Sequence, residues 1–217
     1  MTDPILRLPA KSKILFQGDS ITDMNRGRDN DPNHLLGHSY AFLIAARASA
    51  SNPELGQIFV NRGVSGDRIA NLAARWKTDA LDLNPDVLSI LVGINDILAG
   101  TSIVDFERDY DALLSETKRK LPKVQLVVCE PFGLATGWRK DTWPESATRL
   151  RAMQKVVREL ARKHKTIFVP LQSVFEGAAK RAAPDYWIWD SIHPTYAGQQ
   201  LIADEWLSVA NKQFKRT

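Results

Sequence analysis

Five short apolar runs alternate with longer amphipathic segments along the chain. The runs are nearly continuous in Val, Ile, Leu and Phe, as in strands that are covered on both faces. We predict strands at 13–17, 57–61, 86–93, 124–130 and 166–170, and helices near 38–50, 67–82, 103–120, 145–164 and 195–211. Strands that alternate with helices favour a parallel sheet between two helical layers. No linker, repeat or low-complexity tract interrupts the pattern, so we predict one α/β domain over residues 1–217, a three-layer α/β/α sandwich.

Composition and charge leave this picture unchanged. The chain has 217 residues, of which 44% are hydrophobic and 25% charged, with a net charge of +4. The basic clusters at 117–120, 158–165 and 212–217 lie late in predicted helices or at the chain end, where cations favour the helix dipole. They predict a solvated surface, and no aromatic-interleaved basic stripe suggests a nucleic-acid partner.

The location of the protein is predicted from what the sequence lacks. No apolar run approaches the roughly 18 residues of a membrane span, and the first 13 residues have no apolar core typical of a signal peptide. Cys129 is the single cysteine, which excludes an internal disulfide. We expect a cytoplasmic protein that does not contact a membrane.

Polar residues follow the predicted strands, and in a parallel sheet such residues gather at the carboxyl edge. The letters after the first strand are GDSITD, with Ser20, and NRGVSGD follows the second, with Gly66. GIND, with Asn95, follows the third strand, and WDSIHPTYAG, with Asp190 and His193, precedes the last helix. The sequence therefore predicts that these five residues share one edge of the sheet.

These residue types suit nucleophilic catalysis on an ester. A serine hydroxyl reacts when a base removes its proton, and an imidazole can do so at neutral pH. Asp190 lies three residues before His193 and can hold its ring in one tautomer, so that the other nitrogen faces Ser20. The oxyanion of the tetrahedral intermediate needs donors, for which we predict the Asn95 amide and the backbone N–H groups of Gly66 and Ser20.

Each motif taken alone also has an ordinary structural interpretation. GDS, SGD and GIND are common turn sequences, and a helix after the second motif could be capped by Ser65 or Asp67. Thr195 could similarly cap the last helix. All four motifs occur in this order, and each lies beside a strand or the last helix. Together they indicate a catalytic site.

With these blocks, FQGDSITD, NRGVSGD, LVGIND and WDSIHPTYAG, the chain resembles GDSL-type esterases of the SGNH hydrolase superfamily. The likeness spans residues 14 to about 205, and Ile21 stands where many members have leucine. It implies a flavodoxin-like fold with a five-stranded parallel sheet, and the roles given above for Ser20, Gly66, Asn95, Asp190 and His193. The GDSITD opening, the second block, ARW at 74–76 and the WD…HP ending more closely resemble intracellular acetylxylan esterases.

Other sites and residues complete the prediction. His34 and His38 are four residues apart, but two histidines in a turn-rich loop are a weak metal motif, so we predict no metal and no cofactor. These histidines could instead line the loop after Ser20 or contact another subunit. We expect Cys129 in the core, and Asp23 and Asp96 in local hydrogen bonds or caps. Trp138, Trp143, Trp187 and Trp189 cluster late in the chain.

The predicted function is hydrolysis of a short acyl ester, an acetyl ester in particular, of a sugar or oligosaccharide through an acyl-enzyme. Trp189 adjoins Asp190 and could present a flat face to a sugar ring. The alternatives are a thioesterase or lysophospholipase for longer acyl chains, and an inactive binding protein of the same fold. The predicted partner is a small ester substrate, and homo-oligomerisation stays open.

Overall fold

A computed structural model describes residues 6–29 and 31–214, so the first five and last three residues, including part of the basic chain end, lie outside the described residues. The strands are β1 (Lys13–Gly18), β2 (Ile58–Asn61), β3 (Val87–Leu91), β4 (Gln125–Cys129) and β5 (Ile167–Val169). The helices are α1 (Ser20–Asp23), α2 (Tyr40–Ser51), α3 (Ile69–Trp76), α4 (Ile94–Leu98), α5 (Ile103–Lys120), α6 (Trp143–Lys163), α7 (Leu171–Ala178), α8 (Pro184–Trp187) and α9 (Tyr196–Gln213).

The five strands form one parallel sheet in the order β2-β1-β3-β4-β5. Every residue of the central strand β3 is buried, which explains why all but Ser89 are apolar. The chain moves outward from β1 in one direction and then returns to build the other half, so the strand order reverses beside β1. In such a sheet, ligands bind beyond the carboxyl ends of the strands near this reversal. The predicted α/β fold is confirmed.

Helices cover both faces of the sheet, and two buried tryptophans join neighbouring elements. α2 packs against α9, while α5 packs against α3 and α6. On α9, Trp206 lies 5.6 Å from the Phe16 ring and donates its indole N–H to Ser89 Oγ at 2.9 Å. On α3, Trp76 donates to Thr117 Oγ1 of α5 at 2.8 Å. Both large side chains thus contribute apolar area while their polar atoms are satisfied.

Several predicted boundaries differ from the structure. α3 ends at Trp76 and continues as a wider π turn, Lys77–Leu81, where the sequence predicted one helix over 67–82. β3 ends at Leu91, two residues early, because Gly93 has a φ of 128° and turns the chain into α4. α1, α4, α7 and α8 were not predicted, since segments of four to eight residues have too little periodicity.

The helix caps were predicted in part. Neither Ser65 nor Asp67 caps α3; the N-cap is Arg68, whose backbone N–H donates to the Asn71 side chain at 3.0 Å. Asp96, on α4, accepts the N–H of Ile69 at 3.1 Å and so caps α3 from a distant segment. The predicted cap of the last helix by Thr195 is confirmed.

Burial separates the four late tryptophans into two pairs. Trp143 and Trp187 belong to the core, as does Cys129, whereas Trp138 and Trp189 are 69% and 55% exposed. Among the residues that the structure describes, no helix combines the length and apolar character needed to cross a bilayer.

Candidate active site

Ser20 stands where β1 ends and α1 begins. Asp19 caps the short helix by accepting the N–H of Ile21 at 3.0 Å, which fixes the turn that presents Ser20. The turn is tight, because a Cβ on Gly18 would meet the carbonyl oxygen of Leu91 at 2.3 Å. Ser20 Oγ lies 2.8 Å from Nε2 of His193, 173 residues later in the chain. The strand-end position predicted for Ser20 thus brings it to the loop before α9.

Asp190 holds the other side of the His193 ring. Its Oδ2 lies 2.7 Å from Nδ1 of His193, and its Oδ1 accepts the backbone N–H groups of Ile192 and His193 at 3.2 and 2.8 Å. Because an ionised carboxylate only accepts hydrogen bonds, the proton of a neutral His193 ring lies on Nδ1. The lone pair of Nε2 then faces the Ser20 hydroxyl. Ser20, His193 and Asp190 form one hydrogen-bonded chain.

The loop that carries Asp190 and His193 is closed at its base and fastened at its side. An antiparallel bridge joins Ile188 to Pro194. Ser191, fully buried with a φ of 78°, donates its N–H to Thr136 Oγ1 and its hydroxyl to the Thr136 carbonyl, both at 2.7 Å. The hydrogen bonds with Thr136 thus hold Ser191 at a positive φ, a backbone conformation that non-glycine residues rarely adopt. Sequence reasoning missed Thr136, because no motif marks the segment after β4.

The segment with Gly66 is bound to the segment with Ser20 at two points. The N–H of Val64 donates to the carbonyl of Gly18 at 3.0 Å, and the N–H of Ser65 donates to Asp23 Oδ2 at 2.9 Å. Gly66 follows with a φ of 87°, where a side chain would be strained. Apart from Gly66 and its two chain neighbours, none of the described residues has an atom within 4 Å of the position that a Cβ would take, so the backbone here borders open space.

Asn95 is held beside the same segment. One hydrogen of its Nδ2 donates to the carbonyl oxygen of Asp67 at 3.1 Å, and Asp67 directly follows Gly66. The second hydrogen of Nδ2 is available for a ligand. Gly66 and Asn95 are therefore neighbours through Asp67, and the Gly66 segment in turn adjoins Ser20 through Val64.

Two buried carboxyl groups beneath the site have raised pKa values. Burial raises the pKa of Asp19 to about 7 against the hydrogen bond from Ile21, and the nearby charges of Asp96 and Asp67 add to the rise. Burial likewise raises the pKa of Asp96 to about 6, against the hydrogen bond from Ile69. Clustered pKa perturbations of this kind are typical of functional sites.

Asp23, predicted only to bond locally, joins three segments. Burial by itself would raise its pKa, but hydrogen bonds from Arg28 and Ser65 outweigh it and lower the pKa. Arg28 binds both carboxylate oxygens, at 2.7 and 3.0 Å. Asp23, the last residue of α1, thus links α1 to the Gly66 segment through its hydrogen bond with Ser65.

A cleft of about 460 Å³ opens above Ser20 and His193. Trp189 forms one wall, and its ring lies nearly parallel to the imidazole of His193, with 6.1 Å between ring centroids and 19° between planes. His38 lines the same cleft, whereas His34 pairs with Asp31 at 2.7 Å. No group of three or more metal-ligating side chains occurs within residues 6–29 and 31–214.

Comparison with known proteins gives matches over nearly the whole chain. The sequence model of the GDSL-like lipase/acylhydrolase family matches residues 16–201. An acetylxylan esterase from Geobacillus stearothermophilus is 30% identical over 225 residues, which cover 98% of this chain and 100% of that protein.

Solved structures give the same result. A GDSL-like lipase candidate from Parabacteroides merdae has a TM-score of 0.85 at 38% identity, covering 94% of this chain and 97% of its own. The esterase Axe2 from G. stearothermophilus has a TM-score of 0.84 at 30% identity, covering 98% and 99%. Two further structures are catalytic mutants of Axe2, in which one serine or one aspartate is replaced by alanine.

Proposed function

This chain belongs to the GDSL-like lipase/acylhydrolase family and is a carboxylic ester hydrolase, and we propose that it removes acetyl groups from sugars or oligosaccharides. The observation that carries the chemistry is the Ser20–His193–Asp190 chain at the base of an open cleft. The acetyl sugar ester is supported by the likeness to an acetylxylan esterase and by the exposed face of Trp189 beside the site.

In the proposed mechanism, Ser20 attacks the ester carbonyl while His193 Nε2 takes its proton. Asp190 keeps the other proton on Nδ1 and stabilises the imidazolium that forms. His193 then protonates the leaving sugar oxygen, and an acetyl group remains on Ser20. In the second half-reaction, a water molecule attacks the acetyl carbonyl carbon as His193 takes its proton. The bond between Ser20 Oγ and the acetyl group then breaks, His193 returns the proton to Oγ, and acetate leaves.

The negative charge of the tetrahedral intermediate needs fixed donors. We assign this role to the backbone N–H groups of Ser20 and Gly66 and to the second Nδ2 hydrogen of Asn95. The bonds of Val64 to Gly18 and of Asn95 to Asp67 would keep these donors in place before substrate binds. Donors that are already oriented need no reorganisation in the transition state.

A chain-length series of p-nitrophenyl esters, measured beside acetylated xylobiose, tests the proposal. Acetate should be the best acyl group, activity should fall steeply by octanoate, and acetate should be released from the sugar. Ser20→Ala should fold normally and lose nearly all activity on both. Preference for octanoate or for an acyl thioester, without sugar deacetylation, would refute the acetyl assignment. Wild-type turnover by Ser20→Ala would refute the mechanism.

A further inference from the structure

A second cavity, of about 350 Å³, adjoins the catalytic cleft, because Arg26 and Arg28 line both. Arg62 and Asp29 also line it, and Phe59 and Val60 contribute apolar wall. Three arginines, Arg26, Arg28 and Arg62, thus line one small cavity. Nothing in the proposed ester chemistry uses this cavity.

Two of the three arginines form no salt bridge with any of the described residues. The Nε of Arg62 is buried and has no hydrogen-bond partner, and within the described part of the chain Arg62 forms no ion pair. Arg26 is only 9% exposed and donates from Nε to the carbonyl of Gly63 at 2.8 Å, with no carboxylate in salt-bridge range in that part of the chain. Arg28 already binds Asp23.

The positive charge of the cavity is therefore not balanced by its own lining. Burial, and then the nearby charges of Arg28 and Arg62, lower the pKa of Arg26 to about 10, and the charges of Asp23 and Asp79 only partly offset this. Holding like charges together away from water is unfavourable unless a counter-charge compensates it. Asp29 is exposed, and among the lining residues it is the one carboxylate. An anion in the cavity would supply the missing charge.

The chemistry of the lining defines what kind of anion fits. A guanidinium group is a planar fork of N–H donors that matches the oxygens of a carboxylate or a phosphate. Arg26 and Arg62 approach the cavity from different segments, one after α1 and one after β2. They can bind the two sides of one oxyanion, while the apolar wall suits a sugar ring.

The cavity is close enough to the reacting serine to bind part of the same substrate. Arg62 precedes Gly66 by four residues, which span at most about 14 Å. A short oligosaccharide whose ester lies at Ser20 can therefore extend past Arg26 and Arg28. We propose, building on the proposed deacetylation, that the substrate is an acidic sugar ester whose carboxylate or phosphate binds to Arg26 and Arg62.

Binding can be measured without turnover. The Ser20→Ala protein is titrated calorimetrically with methyl glucuronoside, glucose 6-phosphate and the neutral methyl glucoside. At least one acidic sugar should bind about tenfold more tightly than the neutral one, as expected for charged hydrogen bonds, and which one binds identifies the anion. Equal binding of all three sugars would overturn the inference, whether or not the enzyme is an esterase.

A matched pair of variants locates the effect. Arg62→Gln in the Ser20→Ala background should abolish the preference for the acidic sugar. Arg47→Gln is the control, because it removes the same charge from an exposed residue that pairs with Asp204. Loss of the preference in both variants would reduce it to overall charge and refute the assignment. A change in the molecular mass of the protein in solution caused by Arg62→Gln would also refute the assignment, because it would place the three arginines in a subunit interface.

Kinetics distinguish failure of the inference from failure of the proposed function. The substrates are acetylated xylo-oligosaccharides that carry a glucuronic acid branch, compared with the same oligosaccharides after the carboxyl group of the branch is reduced to an alcohol. If calorimetry identifies phosphate as the anion that binds, acetylated glucose 6-phosphate is compared with acetylated glucose instead. The active enzyme should favour the acidic ester about tenfold in kcat/KM. Equal rates refute the inference alone. No acetate from either ester refutes the proposed function.

Discussion

Replacing Asp23 by asparagine tests whether the α1 turn and the Gly66 segment are held together by one buried charge. Oδ2 of Asp23 accepts from the N–H and hydroxyl of Ser65, at 2.9 and 3.0 Å, and from Arg28 at 2.7 Å. Oδ1 accepts from Arg28 at 3.0 Å and from the N–H of Arg26 at 3.2 Å. Asparagine has nearly the same shape, but one of its two positions is an NH₂ donor that faces other donors.

The size of the effect follows from burial. The side chain of Asp23 is 5% exposed, so a backbone donor left without an acceptor costs about 1–3 kcal/mol. Arg28 is 51% exposed, so the ion pair itself adds only about 0–1 kcal/mol. The variant should therefore lose about 2–3 kcal/mol of unfolding free energy and, at a typical 5–15 kcal/mol, remain folded.

The pH dependence has a definite sign. Because the pKa of Asp23 is lowered in the folded protein, its contribution is present above the unfolded pKa and lost as pH falls below about 4. The difference in unfolding free energy between wild type and Asp23→Asn should thus be full at neutral pH and shrink in acid. Urea titrations at several pH values measure it.

Catalysis should suffer as well, although Asp23 acts through other groups. Release of Ser65 moves the neighbouring N–H of Gly66, and a misplacement of about 1 Å can cost about 10²-fold. We expect kcat to fall by about 10–100-fold with little change in KM. Asp204→Asn is the control, since Asp204 is 52% exposed and pairs with one arginine. Wild-type kcat and stability in Asp23→Asn would refute this account.

Three further predictions concern single groups. Asn95→Ala should lower kcat by about 10²–10³ with little change in KM, and a large rise in KM at constant kcat would assign Asn95 to substrate binding instead. kcat/KM should decrease in acid, because a protonated His193 cannot take the proton of Ser20; a rate that does not fall in acid would contradict its role as base. Asp19 has a folded pKa of about 7, above its unfolded value, so its burial should reduce stability increasingly from about pH 4 to 7, by on the order of 4 kcal/mol, relative to Asp19→Asn in urea titrations.

The parts of the fold that could be predicted are those in which local pattern and burial agree. β3 is buried along its whole length, and its residues are correspondingly apolar except for Ser89. α5 begins at Ile103 and ends at Lys120, as its periodicity predicted. The short helices α7 and α8 exist because they pack against α9, and a four- to eight-residue segment does not encode that contact in its own letters.

The site divides in the same way. Ser20, Asp190 and His193 could be predicted because strand-end position and three-residue spacing are local properties. Thr136 could not, since its hydroxyl reaches Ser191 across 55 residues. Asp23 was recognised as a hydrogen-bonding group, but its link to Ser65 depends on how two loops meet at the sheet edge.

The contrast between the two adjoining cavities follows from these connections. Around Ser20, hydrogen bonds join Asp23 to Ser65, Asn95 to Asp67, and Asp190 to the backbone of His193, which holds these groups in a fixed arrangement. In the second cavity, Arg26 and Arg62 have no acidic partner among the described residues. Because these two arginines form no ion pair among the described residues, they have positive charge to offer to an anion. Arg26 also lines the cleft that holds Ser20, so this charge would meet an anionic group on a substrate bound there.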